Sequence, residues 1–451
     1  MSTAYGRWNF IGLGVAVVLM LVAWTLMSLL PFGLPFSDAV GMVAVASAAV
    51  AAALATLVLV CFLLRFGILH GWRYFCLCLR VTIPLRRAFL DAGYSIKRYG
   101  LVGEYEEIPR IRIEMAEDGL SVKVRIENSI RFNKKLEDVD LSSAINGYVL
   151  ERTYLADDRS EWIFELVDAA TNFSLVFETF GDFKRYVLEN YDRYHLFLDS
   201  RSAVWLSSVL AVGQTGSGKS YLLYSLVLQL HVKEAILYLC DPKNSGLASL
   251  GRMLCPERTG VSLDEIISLL EKFVAEMDGR KAEMQELLSG KLDATAFDFG
   301  LAPAVFVIDE YAALAYALRS RDKRTRDHVA ELISAVVLMG RQLGFVLVLA
   351  MQKSDATLID TAMRENLPLV IVLGNAQQQT IVTAFGQGVD VPERDNKPGE
   401  GVFMEPHIAP TPKLMQAPDL RFLSDGIGFL GRGSCNDPRP HKTKKANLAD
   451  K

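Results

Sequence analysis

The chain has 451 residues, 51% of them hydrophobic, with a net charge of −4 and six cysteines. That length has room for two or three domains. The near-neutral charge excludes a globally basic nucleic-acid binder, so any such contact must come from a local patch or a concentrating ring. The cysteines Cys61, Cys76, Cys78, Cys240, Cys255 and Cys435 form no CxxC pair and have no histidine at metal-ligand spacing. They are read as reduced residues rather than a disulfide framework or a zinc site. Acylation of Cys76 and Cys78 is the weaker alternative.

The hydrophobic excess is concentrated before residue 90. Residues 10–30 carry no charge, and as a helix rising ~1.5 Å per residue they span about 30 Å, the thickness of a hydrocarbon core. Residues 39–64 form a second uncharged run, and the linker 31–38 holds Pro31 and Pro35. This pattern predicts a two-helix transmembrane hairpin over 1–66. Arg65, Arg73, Arg80, Arg86, Arg87, Lys97 and Arg98 follow the second run, with Asp91 as the acid among them. The bias toward basic residues predicts both termini on the cytoplasmic side of the cell membrane. A cleaved signal peptide is the alternative for the first run, and it leaves that placement unchanged. Small residues such as Gly41, Ala44, Ala46, Ser47 and Ala48 suit close helix packing in lipid. Residues 67–99 mix aromatics (Trp72, Tyr74, Phe75, Phe89) with arginines and read as an interfacial segment.

Over 100–200 the pattern changes. Residues 110–114 and 122–127 alternate apolar and polar, the signature of half-buried strands, with Asp118-Gly119 as a turn signal between them. Further strands are predicted at 148–154, 162–167 and 174–177, and a helix at 134–146. The expectation is a small α+β domain.

Residues 201–425 carry the chemistry. An apolar strand at 209–212 runs into Gly213-Gln214-Thr215-Gly216-Ser217-Gly218-Lys219-Ser220, a complete G-x-x-x-x-G-K-S, and a helix is predicted from Tyr221 to Val232. Glycines let backbone N–H groups wrap phosphates, and a helix N-terminus adds the positive end of a dipole. Lys219 then reaches the β and γ phosphates of ATP, and the Ser220 hydroxyl ligates Mg²⁺. A second apolar strand, 304–308, ends in Asp309-Glu310. Asp309 is expected in the Mg²⁺ shell and Glu310 beside the attacking water, a pairing that favours hydrolysis over binding alone. A third strand, 345–350, ends at Met351-Gln352, where Gln352 is placed to sense the γ-phosphate; a surface glutamine is the alternative. With 236–240 and 369–373 these strands are apolar throughout, as in a buried, mainly parallel sheet with helices on both faces. The basic run Arg319, Arg321, Lys323, Arg324 and Arg326 lines either a pore or a solvated face. The polar, basic stretch 426–451 is expected to be disordered.

The ATPase stretch resembles the FtsK/SpoIIIE class of motor ATPases, and within it the coupling proteins of Gram-positive conjugative plasmids and integrative elements. The matching stretches are 213–220, 239–244, the helix with Met277, Arg280 and Met284, then 307–314, 339–344, 350–353, 364–368 and 397–402. The resemblance implies an α/β P-loop NTPase of RecA-like type and a homo-hexamer that moves DNA through a central pore. It implies Arg341 as the arginine reaching a neighbouring subunit's γ-phosphate. It also implies relaxase and type IV secretion-channel partners, beside the lipid bilayer. Chromosome-partitioning members carry more spans, a long linker and a winged-helix reader, features not seen here. A chromosome-partitioning translocase, a protein-exporting ATPase and a scaffold that binds ATP only to assemble are the alternatives.

Overall fold

The computed structural model describes residues 37–100, 103–115, 121–129, 141, 144–287, 293–354, 358–359, 361–392, 394–424 and 426. The chain divides into two compact units, Met1–Thr171 and Asn172–Lys451.

In the first unit, helix α1 (Ser37–Arg65) covers the second predicted span, while the first predicted span lies outside the described residues. Along α1 the side chains are described continuously only over 52–65, which at 1.5 Å per residue is about 20 Å. No helix among the described residues is long and apolar enough to cross a membrane. The two-span hairpin expected from the sequence is therefore not established by the structure. Leu57, Leu59, Phe62 and Leu64 on this stretch are exposed.

Helix α2 (Trp72–Asp91) falls in the segment expected to lie at a membrane interface. Its Val81, Leu85 and Phe89 are buried in one core with Val122, Val124, Ile126, Phe164 and Leu166. The helix is amphipathic because it covers a sheet. After the hairpin β1 (Ile96–Gly100) and β2 (Gly103–Glu107), that sheet comprises β3 (Ile111–Met115), β4 (Ser121–Glu127), β5 (Tyr148–Leu155) and β6 (Glu161–Asp168). The order is β3-β4-β6-β5, with every adjacent pair antiparallel. The predicted alternation has its cause in the two faces. One face packs on α2, and the other carries cross-strand ion pairs: Arg125–Glu114 at 2.9 Å, Arg112–Glu161 at 3.1 Å and Lys123–Glu165 at 3.0 Å. Most of the helix predicted over 134–146 lies outside the described residues, and 144–147 are turns and bends.

The second unit begins earlier than the sequence boundary at 200. The short strand β7 (Val176–Phe177), predicted to join the small domain, pairs in parallel with a C-terminal strand instead. Helix α3 (Phe180–Asn190) follows, capped by Thr179 Oγ1 accepting from Asp182 N at 3.1 Å. The hairpin β8 (His195–Phe197) and β9 (Ala203–Trp205) leads into the main sheet. Its elements in chain order are β10 (Val209–Gly213), α4 (Lys219–Val232), β11 (Ile236–Cys240), α5 (Gly246–Leu254), β12 (Thr259–Gly260), α6 (Leu263–Leu287) and β13 (Ala304–Ile308). Then come α7 (Tyr311–Leu318), α8 (Lys323–Leu343), β14 (Phe345–Met351), α9 (Thr361–Glu365), β15 (Leu369–Leu373), α10 (Gln378–Phe385), β16 (Glu400–Glu405), β17 (Ala409–Gln416) and β18 (Asp419–Leu420). The eight strands run β12-β11-β13-β14-β10-β15-β16-β17. The first six are parallel to their neighbours and the last two pair antiparallel. Strands β10, β13, β14 and β15 are buried along their whole length, so the apolar runs in the sequence reflect a sheet covered on both faces.

Candidate nucleotide site

Strand β10 ends at Gly213, and the chain turns through 214–218 into α4. Gly216 has φ +85° and Gly218 φ +93°, left-handed values at which glycine is favoured. The loop is braced from outside. Gly399 N donates to Ser217 O at 2.8 Å. A Cβ on Gly218 would stand 2.5 Å from Gly399 N.

Lys219 is the first residue of α4. Its Nζ lies 3.0 Å from Asp309 Oδ1 and 3.6 Å from Glu310 Oε2, and all three side chains are largely buried. Strand β14 lies between β10 and β13, so the lysine reaches across about two strand spacings, roughly 10 Å. Asp309 is fixed by its own backbone, whose N–H donates to Cys240 O at 2.9 Å. Glu310 has φ +66°, a conformation that costs a non-glycine residue about 1–2 kcal/mol and often marks a functional position. Its carboxylate is held on two sides, by Lys243 Nζ at 3.1 Å and by the backbone N–H of Gln352 at 3.3 Å. The contact from Gln352 is thus a main-chain one, and its side chain is exposed.

Lys243 and Asp241 had no assigned role in the sequence, although 239–244 contributed to the family resemblance. Asp241 is buried and accepts from Lys243 N, Ser245 N, Ser245 Oγ and Ala248 N at 2.7–3.1 Å. It folds the turn that aims Lys243 at Glu310. Burial, with the Asp309 and Asp241 carboxylates nearby, pushes the Tyr224 hydroxyl up. The phenol therefore stays protonated beside this acidic cluster.

Arg341 is not brought to this site within the chain. It is exposed in the last turn of α8, before the entry to β14. Gln352 follows the exit of that strand, roughly 20 Å away along its length. The basic run Arg319–Arg326 surrounds the α7–α8 connection; Arg319, Arg321, Lys323, Arg324 and Arg326 are exposed, and Arg321 pairs with Asp264 at 2.5 Å.

Among the described residues no group of three or more His, Cys, Asp or Glu forms a protein-only metal cage. A Mg²⁺ ion bound with a nucleotide does not need one, because phosphates and waters supply most of its ligands. Asp309 offers a carboxylate oxygen beside Lys219, and Ser220 a hydroxyl at the second position of α4.

The profile described as AAA domain matches residues 207–359. The FtsK domain-containing protein YdcQ of Bacillus subtilis (strain 168) is 30% identical over 169 residues, 38% of this chain and 34% of YdcQ. The aligned part is thus about a third of that relative's length. Among solved structures, the pCW3 conjugation coupling protein TcpA, in monomer form with ATPγS, has a TM-score of 0.47 at 18% identity. That match covers 77% of this chain and 96% of TcpA. EssC (ATPases 2 and 3) from Geobacillus thermodenitrificans has a TM-score of 0.39 at 19% identity, over 49% of this chain and 41% of EssC. At TM-scores this low, neither likeness adds to the architecture described above.

Proposed function

We propose that this chain is an ATP-driven DNA translocase, anchored in the cell membrane with its ATPase domain and both termini cytoplasmic. In this reading it serves as a coupling protein in conjugative DNA transfer through a type IV secretion channel. The observation that carries the hydrolytic part is the joining of Lys219, Asp309 and Glu310 by ion pairs beyond the carboxyl ends of the interior strands β10 and β13. Lys219 binds the terminal phosphates, Ser220 and Asp309 hold Mg²⁺, and Glu310 orients the water. When bound, the metal neutralises charge on the phosphates. Lys243 and Gln352 N fix the Glu310 carboxylate, so its release or reorientation accompanies nucleotide binding.

DNA as substrate is supported by the motif resemblance and by the FtsK domain named in YdcQ. The anchor is supported by the uncharged runs 10–30 and 39–64. A homo-hexamer accommodates Arg341, whose distance from its own site suits action on a neighbouring subunit's nucleotide. Relaxase and channel proteins complete the proposed set of partners.

The test is ATP turnover by the purified full chain in detergent, with and without DNA, beside Lys219→Ala and Glu310→Gln. The full chain is needed because a fragment starting at residue 100 would strip Val81, Leu85 and Phe89 from the first unit's core. DNA-stimulated turnover, lost in both variants and weakened by salt, supports the proposal. Turnover indifferent to DNA points to a protein substrate. An inert full chain points to the scaffold reading.

A further inference from the structure

We infer that the cleft beside Tyr221 holds the purine base of the bound nucleotide. This rests on the P-loop reading above and extends it to the other end of the ligand. A triphosphate lying on 213–220 has its terminal phosphate near Lys219, Asp309 and Glu310. Its first phosphate then lies at the N-terminus of α4, beside Ser220 and Tyr221. The sugar and base leave from that end. There the second unit has a cleft of about 410 Å³, lined by Glu178, Tyr221, Asp419, Leu420, Arg421 and Ser424. Small-molecule sites span roughly 300–1,000 Å³, so a base and its ribose fit.

The lining suits a nucleobase. Tyr221 keeps 47% of its surface exposed, although the next two residues, Leu222 and Leu223, are fully buried. Arg421 is held at two edges, by Glu178 Oε1 at 2.6 Å and Asp419 Oδ2 at 3.1 Å. Pairing along the edges of a guanidinium leaves its planar faces for stacking. Aromatic rings and guanidinium planes are the side chains on which bases stack. The carboxylates accept only, so they favour a base edge that donates, such as an exocyclic amino group, over the carbonyl edge of uracil.

The wall of the cleft is tied to the phosphate loop. Strand β18 pairs with β7 and packs against α4. Leu420 and Phe422 share the core with Leu222, Leu223 and Leu226. Ala417 N donates to Gly399 O at 2.7 Å, while Gly399 N donates to Ser217 O at 2.8 Å. One residue thus registers the base wall against the phosphate loop.

The experiment is calorimetric titration of the full chain in detergent with Mg²⁺-ATP, Mg²⁺-UTP and inorganic tripolyphosphate. The wild type is expected to bind ATP more tightly than UTP or tripolyphosphate. Tyr221→Ala weakens ATP at least tenfold, leaves tripolyphosphate unchanged and brings the ATP/UTP ratio toward one, while Tyr221→Phe behaves as wild type. Equal losses for ATP and tripolyphosphate in Tyr221→Ala, or an unchanged ATP/UTP ratio, would overturn the inference and leave the Glu178–Arg421–Asp419 group as an ion-pair clasp on β18. Lys219→Ala separates the two readings. It is expected to lose all three ligands, and if it loses none, the phosphate-loop assignment fails irrespective of Tyr221.

Discussion

The contact between Gly218 and Gly399 permits a directional test, because the two glycines meet across it on unequal terms. Gly218→Ala places a methyl group 2.5 Å from Gly399 N and 2.8 Å from Gly399 Cα, both backbone atoms, at φ +93°. Carbon contacts settle near 3.5–4.0 Å, so the 397–400 turn must move by about 1 Å. That movement breaks the 2.8 Å bond from Gly399 N to Ser217 O. The left-handed backbone costs about 1–2 kcal/mol, the overpacking about 1–3 and the lost hydrogen bond about 1, giving roughly 3–6 kcal/mol. Gly399→Ala has φ +87° but meets nothing within 4 Å, so it costs only the backbone term, about 1–2 kcal/mol. Reduced freedom of the unfolded chain offsets both by similar amounts. Hydrogen exchange of the amides over 209–232 measures the local free energy of opening in each variant, and ATP titration reports the loop's competence. Gly218→Ala is expected to lose ATP affinity by a factor of about a hundred, and Gly399→Ala by less than ten. Equal destabilisation by the two substitutions would refute the bracing of the phosphate loop by this turn.

Three further outcomes follow from the same geometry. Asp241→Ala leaves the amides of Lys243, Ser245 and Ala248 without their acceptor, which is expected to cost about 2–4 kcal/mol in urea titration; a loss below about 0.5 kcal/mol would contradict the turn-forming role. Lys243→Gln removes the cation from Glu310 without touching the phosphate loop. Steady-state kinetics should show kcat lowered about tenfold with KM for ATP nearly unchanged, and an unaltered kcat would dismiss Lys243 as a positioning residue. Burial lowers Lys233 from its ordinary 10.5 to about 8. The unfolded chain therefore binds the extra proton between pH 8 and 10.5, and stability rises with pH across that window. The stability of the wild type relative to Lys233→Met should be flat below pH 8 and climb from there to about pH 10.5; a flat difference throughout would show that Lys233 is solvated.

The sequence by itself determined what short-range chemistry controls. A glycine-rich turn between an apolar strand and a helix fixes the phosphate loop, because the left-handed φ values at Gly216 and Gly218 and the helix N-terminus are local properties. The apolar runs at 209–212, 304–308, 345–350 and 369–373 marked the sheet strands because both faces of each are covered. Alternation at 110–114 and 122–127 marked strands because one face is buried and the other carries charges.

What only the tertiary structure decided is adjacency. Placement of β14 between β10 and β13 sets Gln352 N on Glu310, and pairing of β11 with β13 carries Lys243 to the same carboxylate. Strand order is a sum of many side-chain packings across the whole sheet, and no window of sequence reports it. For the same reason 176–177 left the small domain for β18, and one face of α2 proved to be the cover of a sheet. An amphipathic helix shows that one face must be buried, but its own residues do not say what buries it.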